Sequence, residues 1–148
     1  AITAEMVKQL REETGAGIMD CKRAFDEAKG DMVRAKECIK EKGLLKAAKK
    51  GERETGAGYL ETYVHAGRIG VLLEMRAETD FVTKNEKFRA LAHEIAMQIA
   101  ASAPESKEAL YKEPYIKDEK MSVEELVKSA IAEIGENITV AKFTRYEV

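Results

Sequence analysis

Glycines at 15, 17, 30 and 43 cut the first 43 residues into three short segments, and each segment carries an apolar stripe at helical spacing. Met6, Val7 and Leu10 share a face in the first. Cys21, Ala24, Phe25 and Ala28 follow the i, i+3, i+4, i+7 pattern in the second, and Met32, Ala35, Cys38 and Ile39 form the stripe of the third. Helices this short are marginal alone in water, so their stripes must be buried against one another. A compact three-helix bundle over residues 1–43 is the expected result. Gly30 supplies the positive φ that a helix end often needs, Asp31 stands ready to cap the third helix, and Gly43 is expected to close it.

Residues 44–58 change character. Leu44 to Lys50 are good helix formers, but Gly51, Gly56 and Gly58 interrupt the pattern, so a short helix running into a linker is expected. Between Lys40 and Arg53 six Lys or Arg face two Glu, a local charge of +4. Such a run reads either as a solvated face or as a basic contact.

From Tyr59 the period shortens. Tyr59 to His65 is rich in β-branched and aromatic residues, Ala66-Gly67 marks a turn, and Ile69, Val71, Leu73 and Met75 alternate onto one face. These runs predict a β-hairpin. Asn85 opens a long helix with Phe88, Leu91, Ala92, Ile95 and Ile99 on its buried side, and Pro104 comes soon after its end. Residues 104–121 read as a polar connection with one helical turn. Ser122 and Glu125 then form the S-x-x-E signature of a helix start, followed by the stripe Val123, Leu126, Val127, Ala130, Ile131 and Ile134 up to Gly135. From Asn137 to Val148 a last strand is expected, with Ile138 and Val140 on one face and Phe143 on the other. A lone hairpin is not stable in water, so this strand joins it in a three-stranded antiparallel sheet with helices over one face. The expected fold class is therefore α+β: a helical bundle at 1–43, a basic helix and linker at 44–58, and an α+β core at 59–148.

Several functions find no support in the residues. No apolar run approaches the roughly 20 residues that cross a bilayer, and Ala1-Ile2-Thr3-Ala4-Glu5 lacks the order of a secretory signal. A cytoplasmic protein with no membrane partner is expected. Cys21 and Cys38 fall on apolar helix faces and read as buried free thiols, and His65 and His93 make no zinc-like cluster with them. A net charge of −2 argues against direct nucleic-acid binding. There is no phosphate-binding glycine loop, dinucleotide fingerprint or H-E-x-x-H. Neither an enzyme nor a cofactor is expected.

One stretch stands apart. Glu78-Thr79-Asp80-Phe81-Val82 connects the second strand to the long helix. Phe81 and Val82 read either as a strand end tucked into the core or as a displayed aromatic beside a carboxylate, the kind of anchor that binding hot spots favour. Pattern alone leaves both open.

Four blocks in order carry a family resemblance. Leu10-Arg11-Glu12-Glu13-Thr14-Gly15-Ala16-Gly17-Ile18-Met19-Asp20-Cys21-Lys22 closely resembles the N-terminal signature of the elongation factor Ts family, and Lys46-Ala47-Ala48-Lys49-Lys50, after the bundle, is similar to the same family. Gly70 to Glu74, leading into Glu78 to Val82, is similar to its core motif, and Ala132 to Ile138 with Phe143-Thr144-Arg145 is similar to its last helix and strand. The resemblance implies a ubiquitin-associated-like bundle ahead of a core that binds partners and dimerises. It implies an exchange factor that binds elongation factor Tu, GDP-bound or nucleotide-free, and promotes GDP release by dislodging the partner's Mg²⁺. It places Thr79, Asp80, Phe81 and Val82 at that step, and gives Arg11, Ile18, Met19, Lys22 and Lys50 as further contacts.

The sequence departs from the family pattern in its middle, where relatives carry a longer segment between the long helix and the Ile134-Gly135-Glu136-Asn137 block. A shorter core leaves a sheet edge open, which invites a homodimer. Two readings compete on residues alone: a three-helix adaptor that binds ubiquitin-like partners, fused to an α+β domain, and a weak RNA binder using the Lys40–Arg53 stretch.

Overall fold

The computed structural model describes residues 1–148. The chain divides into two compact units, Ala1–Lys46 and Ala47–Val148.

The first unit holds α1 (Ala4–Thr14), α2 (Ile18–Glu27) and most of α3 (Met32–Lys50). Val7, Leu10, Cys21, Ala24, Phe25, Ala28 and Ala35 form its core, so the three stripes meet. Burial pushes the Cys21 thiol above its usual range, and neither cysteine is bridged. Gly43 does not close the third helix, which continues to Lys50. A helix-interior glycine costs only about 1 kcal/mol relative to alanine. The Leu44 to Lys50 run, rich in strong helix formers, outweighs that penalty.

The second unit is built on an antiparallel sheet in the order β1 (Ala57–His65), β2 (Ile69–Ala77), β5 (Ile138–Glu147). A short helix α4 (Asp80–Thr83) and the long α5 (Glu86–Ser102) come after the hairpin, and α5 packs on β1 and β2. Asn85 caps α5, its Oδ1 accepting the N–H groups of Lys87 and Phe88 at 2.7 and 3.4 Å. α6 (Lys107–Lys112) and α7 (Val123–Ile134) complete the cover, with α7 packed on α5 and β5. The Ser122 hydroxyl accepts the Glu125 N–H at 3.1 Å, as the start signal predicts.

Two features of this second unit differ from the sequence reading. The register between β2 and β5 slips near Ala141: Glu74 faces Lys142 while Met75 faces Val140. One extra residue reverses side-chain parity, so Phe143 lies on the same face as Ile138 and Val140 and packs on the core. The second is a two-stranded sheet of β3 (Pro114–Tyr115) and β4 (Asp118–Ser122), where only a polar connection is expected. Side chains of α5 hold this hairpin. The buried Gln98 donates to Glu113 Oε2 and Pro114 O at 3.0 and 3.2 Å and accepts from the Ile116 N–H at 2.9 Å. Tyr115 and Lys117 donate to Glu94 at 2.8 and 2.7 Å. Burial, reinforced by the Glu94 contact, pushes the Tyr115 phenol up to about 12. Burial disfavours the charged form of Glu94, yet the Lys117 and Tyr115 hydrogen bonds prevail and hold its carboxyl below the usual range.

Candidate functional site: a displayed aromatic on a clamped turn

The β2–β5 ladder ends at the pair Ala77 and Ile138. Beyond it the two chains run on side by side, and carboxylates take over where the backbone pairing stops. The Thr79 N–H and hydroxyl donate to Glu136 Oε1 and Oε2 at 3.0 and 2.8 Å. In the opposite sense the Asn137 N–H donates to Glu78 Oε1 at 3.0 Å. The buried Asn137 amide reaches a third segment, donating to Gly51 O and Arg53 O at 3.3 and 2.8 Å. Lys50 Nζ donates to Gly135 O at 3.2 Å, and Gly135 itself sits at φ 92, a left-handed conformation that glycine adopts without strain. A cation at the C-terminal end of α7 also suits the helix dipole.

Thr79 caps α4, its hydroxyl accepting the Val82 N–H at 3.4 Å. The Thr83 hydroxyl donates to Asp80 O at 3.0 Å, and Arg89 Nε donates to Thr83 O at 3.1 Å. Successive helical residues point about 100° apart, so one turn separates neighbours. Val82 is 5% exposed and Thr83 is buried, whereas Phe81 is 84% exposed and Asp80 is also open to solvent. A phenylalanine this open is unusual, because a large apolar side chain is normally drawn inside. The strand-end reading therefore fits Val82 in its burial but not Phe81.

The bundle carries the remaining candidates apart from Lys50. Arg11, Ile18 and Lys22 line a groove of about 910 Å³ with Ile2, Val7 and Asp26. Met19 stands exposed at the start of α2 and is not among the lining residues. Lys50 belongs to the core unit, where it bonds Gly135. No three Asp, Glu, His or Cys side chains converge as metal ligands, and no helix is long and apolar enough to cross a membrane.

Sequence reasoning places Asn137 at the start of the last strand and Glu136 just after the helix end, and gives neither a contact. Their partners lie 57 to 86 residues away, and no local period reports such contacts. The one available signal is the pair of glutamates, Glu78 and Glu136, standing just outside two runs that read as paired strands.

The family model described as Elongation factor TS matches residues 78–148, the segment that contains this turn and two of the three stretches that clamp it, 78–79 and 135–137. An elongation factor Ts of Desulforamulus reducens is 44% identical over 193 residues, covering 99% of this chain and 89% of the relative. Those of Alkaliphilus oremlandii and Nitratidesulfovibrio vulgaris are 41% and 39% identical, covering 99% and 100% of this chain and 89% and 97% of each relative. An α+β protein with these relatives is of the translation elongation factor class. The match runs along nearly the whole chain, and the chain belongs to the elongation factor Ts family. The Alkaliphilus alignment, at 192 residues, is 44 longer than this 148-residue chain, so the relative has residues at positions where this chain has none.

Proposed function

We propose that the chain binds elongation factor Tu in its GDP-bound and nucleotide-free states and promotes exchange by loosening GDP and its Mg²⁺. The observation that carries this reading is Phe81, 84% exposed on a turn whose next two residues, Val82 and Thr83, are buried and hydrogen-bonded. A rigid aromatic beside the exposed Asp80 is a wedge for a neighbouring protein rather than a fold element. Pushed against a metal-bound phosphate site, it displaces the groups that hold the cation. The diphosphate then loses the largest local counter-charge. Thr79 and Val82 set the base of the wedge, one as cap and one as buried anchor.

Arg11, Ile18 and Lys22 in the bundle groove, with Met19 beside them, give the same partner a mixed apolar and basic contact. Lys50 uses one of its three donors on Gly135 and keeps two for the partner. No covalent step is needed, so the chain acts as a binding factor and not as an enzyme, without a cofactor of its own, and it acts in the cytoplasm where its partner works. Its binding and that of GDP oppose each other reciprocally. A thousandfold acceleration of release corresponds to a barrier lowered by about 4 kcal/mol. The adaptor and RNA-binding readings leave Phe81 without a role.

Stopped-flow release of a fluorescent GDP from elongation factor Tu tests the proposal. Release is expected to accelerate and saturate with increasing chain concentration. Rates that stay at the intrinsic value overturn it.

A second reading concerns self-association. Leu60, Val64, Leu72 and Tyr146 are exposed on the sheet face away from α5. In register, Val64, Gly70 and Tyr146 form one row, Leu72 stands between Thr62 and Thr144 in the next, and Leu60, Glu74 and Lys142 form the third. A face that carries exposed apolar side chains together with its own acid and base suits a second copy of itself. Leu72→Glu is expected to weaken a dimer at least tenfold, since a buried unpaired charge costs several kcal/mol (about 3–5). Sedimentation equilibrium of both proteins measures it, and a wild-type chain that stays monomeric at every concentration removes the dimer.

A further inference from the structure

We propose that Glu136 is the positioning residue that presents Phe81, an inference that rests on the reading of Phe81 as the partner-facing wedge. A four-residue helix cannot hold its own geometry, because a single turn fixes many dihedrals for very few hydrogen bonds. Phe81 is mostly in solvent and supplies no packing that would orient it. Val82 and Thr83 anchor the C-terminal end of the turn in the core, and its N-terminal end is set by the cap, which is Thr79.

Thr79 is held by one carboxylate. Both oxygens of Glu136 accept from it, one from the backbone N–H and one from the hydroxyl, at 3.0 and 2.8 Å. Hydrogen bonds to an ionised acceptor are about twice as strong as neutral ones. Committing the hydroxyl hydrogen to Glu136 turns an oxygen lone pair toward α4, where it accepts the Val82 N–H. The carboxylate therefore selects the hydroxyl rotamer that caps the helix, and the capped helix fixes which way residue 81 leaves the chain.

Glu136 is itself fixed. The left-handed Gly135 on one side is tied to Lys50, and the buried Asn137 on the other is tied to Glu78, Gly51 and Arg53. Glu78 and Glu136 exchange backbone partners across the end of the β2–β5 ladder, each accepting from the opposite chain. The strap thus continues the sheet where backbone pairing has ended, and it anchors the turn to the end of the β2–β5 ladder.

The test combines Glu136→Ala, Glu136→Gln, Phe81→Ala and the Glu136→Ala/Phe81→Ala double variant. In the free protein, Glu136→Ala is expected to speed hydrogen exchange at the Thr79 and Val82 amides by about tenfold or more while amides in the middle of α5 keep their rates. Unchanged exchange at Thr79 and Val82 overturns the positioning role whatever the partner does. With elongation factor Tu, Glu136→Ala is expected to lower the maximal rate of GDP release by about tenfold with little change in the half-saturating concentration. Glu136→Gln keeps an oxygen acceptor for one Thr79 donor and is expected to fall between wild type and alanine. In the Phe81→Ala background the alanine change is expected to cost almost nothing more, since there is no ring left to aim. Equal losses in both backgrounds overturn the inference even if Phe81 matters. A Phe81→Ala variant with wild-type exchange rates overturns the wedge reading and the positioning of that wedge with it.

Discussion

Phe81→Ala is expected to slow elongation factor Tu-bound GDP release by about 30-fold at saturating factor, the loss of roughly 2 kcal/mol that a buried aromatic anchor contributes at a contact. The same variant is expected to unfold within about 0.5 kcal/mol of wild type, because the ring is 84% exposed and leaves no cavity behind. The separation of the two effects is the substance of the prediction. Backbone hydrogen bonds and the Thr79 cap hold α4 without using the ring. Val82→Ala should behave in the opposite way, removing buried methyl groups from the core cluster and lowering stability while the aromatic remains. Stopped-flow exchange paired with thermal unfolding measures both quantities on the same proteins. A Phe81→Ala chain that exchanges nucleotide at the wild-type rate sinks the site, and one that is strongly destabilised shows the ring to be part of the fold.

The physical cause of each success and failure of sequence reading is visible in particular residues. Helices α1, α2, α5 and α7 are legible because one stripe of each meets one core, so period and burial coincide. The hairpin is legible because Ile69, Val71, Leu73 and Met75 alternate without interruption. Gly43 misleads because its conformational cost is local, while the helix formers that override it are spread over the next turn. Phe143 misleads because parity counted along β5 assumes one residue per rung, and Ala141 adds one. The β3–β4 hairpin carries no alternation. It is held by Gln98 and Glu94 on α5, and such bonds leave no trace in the hairpin's own sequence.

At the candidate site the limit is of another kind. A strand and a helical turn each place two adjacent residues in different directions, so Phe81 and Val82 could be separated by either, and only the backbone conformation says which one faces out. The clamp around them joins residues 50–53, 78–79 and 135–137, three stretches that are neighbours in space alone. The blocks that carry the family resemblance contain most of these residues, but resemblance does not say what holds the turn in place. The hydrogen bonds do.

The other phenylalanine of this region gives the complementary prediction. Phe88→Ala is expected to destabilise the second unit by about 3–5 kcal/mol, the usual cost of emptying a buried aromatic site. Phe88 is fully buried in the first turn of α5, in the same cluster as Val82, Leu91 and Ile95. Its ring meets Tyr59 edge-on, with centroids 5.9 Å apart and planes at 73°, and Arg89 lies 4.8 Å above the Tyr59 ring. Losing that edge contact adds about 0.5–1.5 kcal/mol to the loss of burial. Because domains are stable by only about 5–15 kcal/mol, the variant should retain a folded core with little margin. For a unit of this size the thermal midpoint should fall by roughly 15–30 °C. Urea unfolding followed by near-ultraviolet tyrosine dichroism reads the second unit, and a change below about 1 kcal/mol would mean that the site collapses to fill its own void. Exchange activity should then track the folded fraction, recovering on cooling toward the temperature of maximum stability, whereas Phe81→Ala stays slow at every temperature at which it is folded. Two rings seven positions apart, one in water and one in the core, therefore separate what the factor needs to act from what it needs to fold.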